Sequence, residues 1–152
     1  MQELLQKAIS IAHNSHKNQY NVNGEPYILH PMRIMLKAKN EDQMITAVLH
    51  DVIEKSDVEL DFLEIEGFNK EIVRAVDALS RKNDELYDSY ISRVLKNKLA
   101  IKIKVIDLMD NIKIHKSIFN NPENDPRLYG VSSIRKDNKT IFLYIFFLII
   151  LT

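Results

Sequence analysis

Four stretches of this 152-residue chain place metal-ligating or proton-transferring side chains in mostly apolar surroundings: His30-Pro31, His50-Asp51 followed by Glu54-Lys55, Asp107, and Asn111. His50 and Asp51 are neighbours in a segment that reads as helix from 41 to 55. Successive helical residues point about 100° apart, so the two side chains can straddle one ion bound against that face. Glu54 follows at i+4 and i+3 and would sit beside such an ion without having to bind it. A second histidine at a helix start (His30) and an aspartate from a late helix (Asp107) would complete a set of two imidazoles and two carboxylates. Mixed donors of this kind suit Mn²⁺, Fe²⁺ or Zn²⁺ better than Mg²⁺ or Ca²⁺. A bare His-Asp dipeptide is weak, since His50 could equally be a satisfied core histidine and Asp51 a solvated charge. The flanks argue for an ion: Ala47-Val48-Leu49 precedes the pair, Val52-Ile53 follows it, and Asp107 stands within Val105-Ile106 and Leu108-Met109. Carboxylates in such surroundings need a partner or a metal.

The elements that must bring these residues together read as helices. Leu4, Leu5, Ala8, Ile11, Ala12 and Ser15 recur at helical spacing and predict a first helix over about 2–19. Asn21 to Pro26 is a turn-rich break, and His30-Pro31 opens a second helix where proline's missing N–H costs nothing. Asn40 with Gln43 resembles a capping box that starts the helix carrying His50. Gly67 closes a short helix and Asn69 caps the next, which turns Ile72, Val73, Val76 and Leu79 inward. Leu86, Tyr87, Tyr90, Ile91, Val94 and Leu95 form the cleanest amphipathic stripe, with its tyrosines expected in the core. The alternation of residues 101–106 suits a strand by propensity. With no convincing strand to pair with, helix is the better reading, at the spacing Leu99, Ile103, Ile106, Asp110.

Composition limits the alternatives. Lys and Arg number 21 against 21 Asp and Glu, so the chain lacks the basic footprint of a nucleic-acid binder. It has no cysteine, which excludes disulfides and thiolate chemistry and fits a cytoplasmic protein. Three glycines and four prolines favour helices over a turn-rich β-sandwich. No signal peptide is visible, because charged and polar residues interrupt residues 1–20. Residues 141–151 are an unbroken apolar run, but a helix of that length reaches roughly 16 Å against the ~30 Å hydrocarbon core of a bilayer. A buried terminal helix or strand is expected there, with no spanning segment.

The stretches AHNSHKNQ (12–19), GEPYILHP (24–31), EDQMITAVLHDVIEKSD (41–57), GFNKEIVRAVDALSR (67–81) and IKVIDLMDN (103–111) together resemble the HD-domain metal phosphohydrolases. Among these they are most similar to the hydrolase domain of Rel/SpoT-type alarmone enzymes and to the small stand-alone (p)ppGpp hydrolases. The resemblance implies an all-α helical bundle in a single domain, with residues 1–115 as hydrolase core and 116–152 as a C-terminal segment. It implies one Mn²⁺ at His30, His50, Asp51 and Asp107, and removal of the 3′-pyrophosphate of (p)ppGpp by water. Glu54 matches the family's acidic residue that positions the water, and Asn111 matches a position that contacts the nucleotide. The expected partner is therefore a nucleotide and not a nucleic acid, with homo-oligomerisation left open.

Two departures stand out. The family reads His-Asp-x-x-Glu-Asp where this chain has Glu54-Lys55, so Lys55 either weakens water activation or adds a phosphate contact. The loop before Gly24, where relatives carry Arg-Lys-Ser, is Asn21-Val22-Asn23, which removes a guanidinium that lysine could not simply replace. Asn21 and Asn23 are thus substrate-side candidates of altered chemistry, with Lys17 and Arg33 as sources of positive charge for a pyrophosphate. His13 and His16 read as surface or packing residues, and Tyr27 as core packing. The altered loop keeps open a 5′-nucleotidase or another HD nucleotide phosphohydrolase. Lys55 and the apolar terminus keep open a catalytically impaired metal- or nucleotide-sensing module.

Overall fold

A computed structural model describes residues 2–119 of the chain, and side chains over 3–111. Eight helices follow one another: α1 (Gln2–Ser15), α2 (Leu29–Met35), α3 (Glu41–Leu49), α4 (Val52–Lys55), α5 (Leu60–Ile65), α6 (Lys70–Leu79), α7 (Tyr87–Val94) and α8 (Lys98–Phe119). Among the described residues β pairing is confined to an isolated bridge between Tyr20 and Pro26. The all-α expectation holds, including the helical reading of 101–106. The apolar run 141–151 lies outside the described residues.

The described residues fall into two units that divide after Ile106. In the first, α3 is the hub. It packs on α1, α2 and α6, while α6 also meets α5 and α7. The reason lies in its sequence: Ile45, Thr46, Ala47, Val48 and Leu49 are all buried, so α3 has no solvated face along its second half. Ala8 and Ala12 of α1 are wholly buried and let neighbouring backbone approach closely.

Helix starts follow the sequence signals. Asn40 Oδ1 accepts from Gln43 N at 3.0 Å, and Asn69 Oδ1 from Ile72 N at 2.9 Å. Gln43 answers one residue earlier than a standard capping box, its Oε1 accepting from Lys39 N at 3.0 Å. Gly67, at φ +92°, closes α5 in a conformation that L side chains rarely adopt.

Three expectations are corrected. α1 stops at Ser15 and not at 19, because Asn18 takes a positive φ of 63°. The helix expected over 41–55 is two helices, α3 and α4, parted at His50-Asp51. Of the tyrosines in the α7 stripe, Tyr90 is buried with its hydroxyl donating to Leu79 O, whereas Tyr87 is exposed.

One charged clamp ties α7 to the end of α6. Arg93 Nε and Nη2 donate to the two carboxylate oxygens of Glu85 at 2.7 Å, while Nη1 and Nη2 reach Asp77 O and Ser80 O at 2.8 Å. This fork-to-fork geometry is the strong form of an ion pair. The Arg93 guanidinium, above all through its hydrogen bonds, lowers the Glu85 carboxyl from its ordinary 4.5 to about 2. A depressed folded-state pKa adds stability that is present above the unfolded value and is lost as pH falls through the folded one. Glu85→Gln is therefore expected to lower the melting temperature at pH 7. The gap to the parent should close between about pH 4.5 and about pH 2, as read by thermal unfolding across that range.

Candidate metal centre

The break between α3 and α4 shapes the site. α3 ends at Leu49, His50 is its C-cap at φ −58°, ψ −30°, and Asp51 turns to φ −104°, ψ −3°. That second conformation belongs to the sparsely used bridge region where active-site residues recur. Beyond it, Lys55 N bonds Asp51 O and α4 begins. The local departure from helix, unforeseen in the sequence reading, presents His50 and Asp51 at a chain bend.

Both histidines singled out in the sequence are buried: His30 on α2, 5% exposed, and His50, 3% exposed. Their rings stand edge to face, centroids 5.3 Å apart. His50 Nδ1 lies 2.7 Å from the carbonyl of Ala47, an acceptor only, so Nδ1 carries the proton and Nε2 the lone pair. Asp51 Oδ2 is 3.4 Å from that Nε2. A backbone carbonyl fixing the distal nitrogen is the usual second partner of a metal-binding imidazole. The donor set, two buried imidazoles with an adjoining carboxylate, fits a borderline divalent ion.

Tyr27 is part of this arrangement and not plain core packing. Its hydroxyl donates to Asp51 Oδ2, and its ring lies 5.7 Å from His30. The sequence signal was its place three residues before His30: His30 N bonds Tyr27 O in a turn that brings the two side chains together. Lys55 Nζ lies over the Tyr27 ring, 5.2 Å from its centroid, in cation–π range.

Glu54 is exposed, and its Oε2 accepts from Arg81 N at 2.9 Å, which links α4 to the residues after α6. His16 is buried and stacks obliquely on Tyr27, centroids 5.0 Å apart, whereas His13 is exposed. Burial pushes the His16 imidazole below its ordinary pKa, partly opposed by its hydrogen bond to Gln19 and the charge of Asp51. Its burial was legible after all. Ala8, Ala12 and His16 lie four residues apart, so the ring continues the inward row of α1.

The remaining sequence candidates fall out as follows. Asp107, buried on α8, accepts from Asn111 Nδ2 at 2.7 Å, one turn on, so Asn111 braces the carboxylate. Asn21 spends its amide within its own loop: Oδ1 accepts from Asn23 N and Glu25 N, and Nδ2 donates to Glu25 Oε2. Asn23 and Lys17 are exposed, and Arg33 is half-buried.

No family model matches the chain. Among curated proteins it is 28% identical over 123 residues to the guanosine-3′,5′-bis(diphosphate) 3′-pyrophosphohydrolase of Aquifex aeolicus, covering 73% of this chain and 18% of that protein. The enzyme of the same name from Borreliella burgdorferi is 37% identical over 82 residues, covering 51% of this chain and 12% of that protein. The chain thus spans less than a fifth of the length of these relatives. Among solved structures, a metazoan SpoT orthologue described as hydrolysing ppGpp superposes with a TM-score of 0.63 at 20% identity, covering 72% of this chain and 68% of that one. In sequence the chain is similar to part of these hydrolases, and in fold it is similar to that orthologue.

Glu54→Gln keeps an acceptor for Arg81 N at an exposed position. Its unfolding free energy should stay within about 0.5 kcal/mol of the parent, measured by urea denaturation.

Proposed function

We propose that the chain is a metal-dependent pyrophosphohydrolase that removes the 3′-pyrophosphate of (p)ppGpp, with one Mn²⁺ held by His30, His50, Asp51 and Asp107. One observation carries this reading: the buried His30 and His50 rings stand edge to face with centroids 5.3 Å apart, and Asp51 Oδ2 lies 3.4 Å from His50 Nε2, so two imidazoles and a carboxylate converge at the chain bend. The hydrolase names of the relatives support the substrate, and the bend at His50-Asp51 supports Asp51 as the adjoining carboxylate.

A divalent ion bound there supplies a lowered pKa for water and offsets phosphoryl charge. The chain's own residues supply the rest. Glu54, steadied at one oxygen by Arg81 N–H, takes a proton from the attacking water through its other oxygen. The water oxygen bonds to the phosphorus attached at the 3′ position, and the bond from that phosphorus to the 3′ oxygen breaks. The 3′ oxygen regains a proton, leaving a free hydroxyl and pyrophosphate. Tyr27, through its hydroxyl on Asp51, fixes the carboxylate's orientation. Lys55, stationed over Tyr27, and Lys17 give positive charge to the departing pyrophosphate. Asn111 serves the nucleotide side while bracing Asp107.

A second reading, hydrolysis of a different nucleotide by the same centre, is favoured by the loop at 21–23. Asn21 spends its amide oxygen and one of its two amide N–H groups within the loop, and the guanidinium of relatives is absent. A panel of nucleotides with product identification separates the two.

Purified protein with Mn²⁺ and ppGpp is expected to release pyrophosphate, and chelation should stop it. His50→Ala and Asp51→Ala should abolish release, and turnover surviving in both would refute the assigned site. Glu54→Gln should lower kcat by roughly 10²- to 10⁴-fold with the fold intact.

A further inference from the structure

His16 is a buried polar group that the reading above leaves unused. It follows the last turn of α1, 3% exposed, with its ring against Tyr27. Its tautomer is dictated by Gln19. The Gln19 amide nitrogen donates to the carbonyls of Ser15 at 3.0 Å and Lys55 at 2.8 Å, so both its N–H groups are occupied. The Gln19 oxygen is therefore the atom that faces His16 Nδ1, at 3.0 Å, and Nδ1 must donate. That leaves Nε2 as a bare lone pair, buried and with no hydrogen-bond partner among the described residues.

A buried acceptor without a donor loses the hydrogen bond that water would give it, and such groups are few in folded proteins. If the position needed only packing, an apolar ring would fill it without that cost. The surroundings indicate the use. The ring begins a series, His16 to Tyr27 to His30 to His50, with successive centroids 5.0, 5.7 and 5.3 Å apart. Asp51, His50 and Lys55 all act on it electrostatically.

We propose that His16 is a binding residue of this centre, its Nε2 accepting a hydrogen bond from an O–H group that the protein does not supply. The donor is either a water held at the site or the ribose hydroxyl of the bound nucleotide. The identity of the donor rests on the phosphohydrolase reading, whereas the acceptor itself does not.

Two substitutions separate this role from a structural one. His16→Asn keeps an amide N–H for Gln19 and loses the distal acceptor. His16→Gln places an oxygen near the Nε2 position and gives up the short contact to Gln19. Mn²⁺ affinity by calorimetry without nucleotide, melting temperature, and kcat and KM for ppGpp are measured for each. A binding role predicts that His16→Asn melts near the parent yet loses roughly tenfold to a hundredfold in Mn²⁺ affinity or in kcat/KM, with His16→Gln recovering most of it. A purely structural role predicts the reverse order, with His16→Asn indistinguishable from the parent in all four quantities, and that result overturns the proposal. Loss confined to kcat or Mn²⁺ affinity identifies water as the donor. Loss in KM that is matched by 2′-deoxy-ppGpp on the parent, and not deepened by His16→Asn on that substrate, identifies the ribose hydroxyl. Should the parent not turn over ppGpp, the function proposed above fails by itself. ¹⁵N spectra of the histidines then decide the present point: a ring protonated at Nδ1 alone upholds it, and protonation at Nε2 overturns it.

Discussion

The fold is organised around a cost. Two buried imidazoles, His30 of α2 and His50 at the C-cap of α3, and the half-buried Asp51 carboxylate beside them are withdrawn from water. Groups of that polarity stay buried only if each is given a partner. The structure meets the demand piecemeal: Ala47 O for His50 Nδ1, the Tyr27 hydroxyl for Asp51, the Asn111 amide for Asp107. Each partner also removes a rotational choice, so satisfying these groups and aiming them are one physical event.

Much of this could be read from residues alone, for reasons that can be named. The ligand-type residues were visible because a histidine or aspartate amid Val, Leu and Ile violates the apolar pattern, and such violations are where function concentrates. Helix starts at Asn40 and Asn69 were visible because capping is a local hydrogen bond within three residues. The helical reading of 101–106 succeeded against propensity because a strand needs a partner and none was available.

What escaped the sequence was set by contacts distant along the chain. Tyr27 bonds a carboxylate 24 residues on, and Gln19 reaches the Lys55 carbonyl 36 residues on, beyond any local pattern. The bend at His50-Asp51 was hidden because both residues tolerate helix and the break is imposed by packing on either side. Asn21, a substrate-side candidate by position, is engaged instead in shaping its own loop, a habit of asparagine in turns.

The brevity of α4 carries a consequence of its own. A helix of four residues has no interior, so cooperative helix formation contributes almost nothing to keeping it wound. It persists through external tethers: Gln19 on the Lys55 carbonyl, Ser56 Oγ on Val52 O, and Glu54 on Arg81 N. Its amides should therefore be among the first of the buried unit to exchange with deuterated solvent, opening in steps far smaller than global unfolding. Because that segment bears Glu54 and Lys55, occupancy of the centre would be written as slowed exchange there before any other part of the bundle registered it.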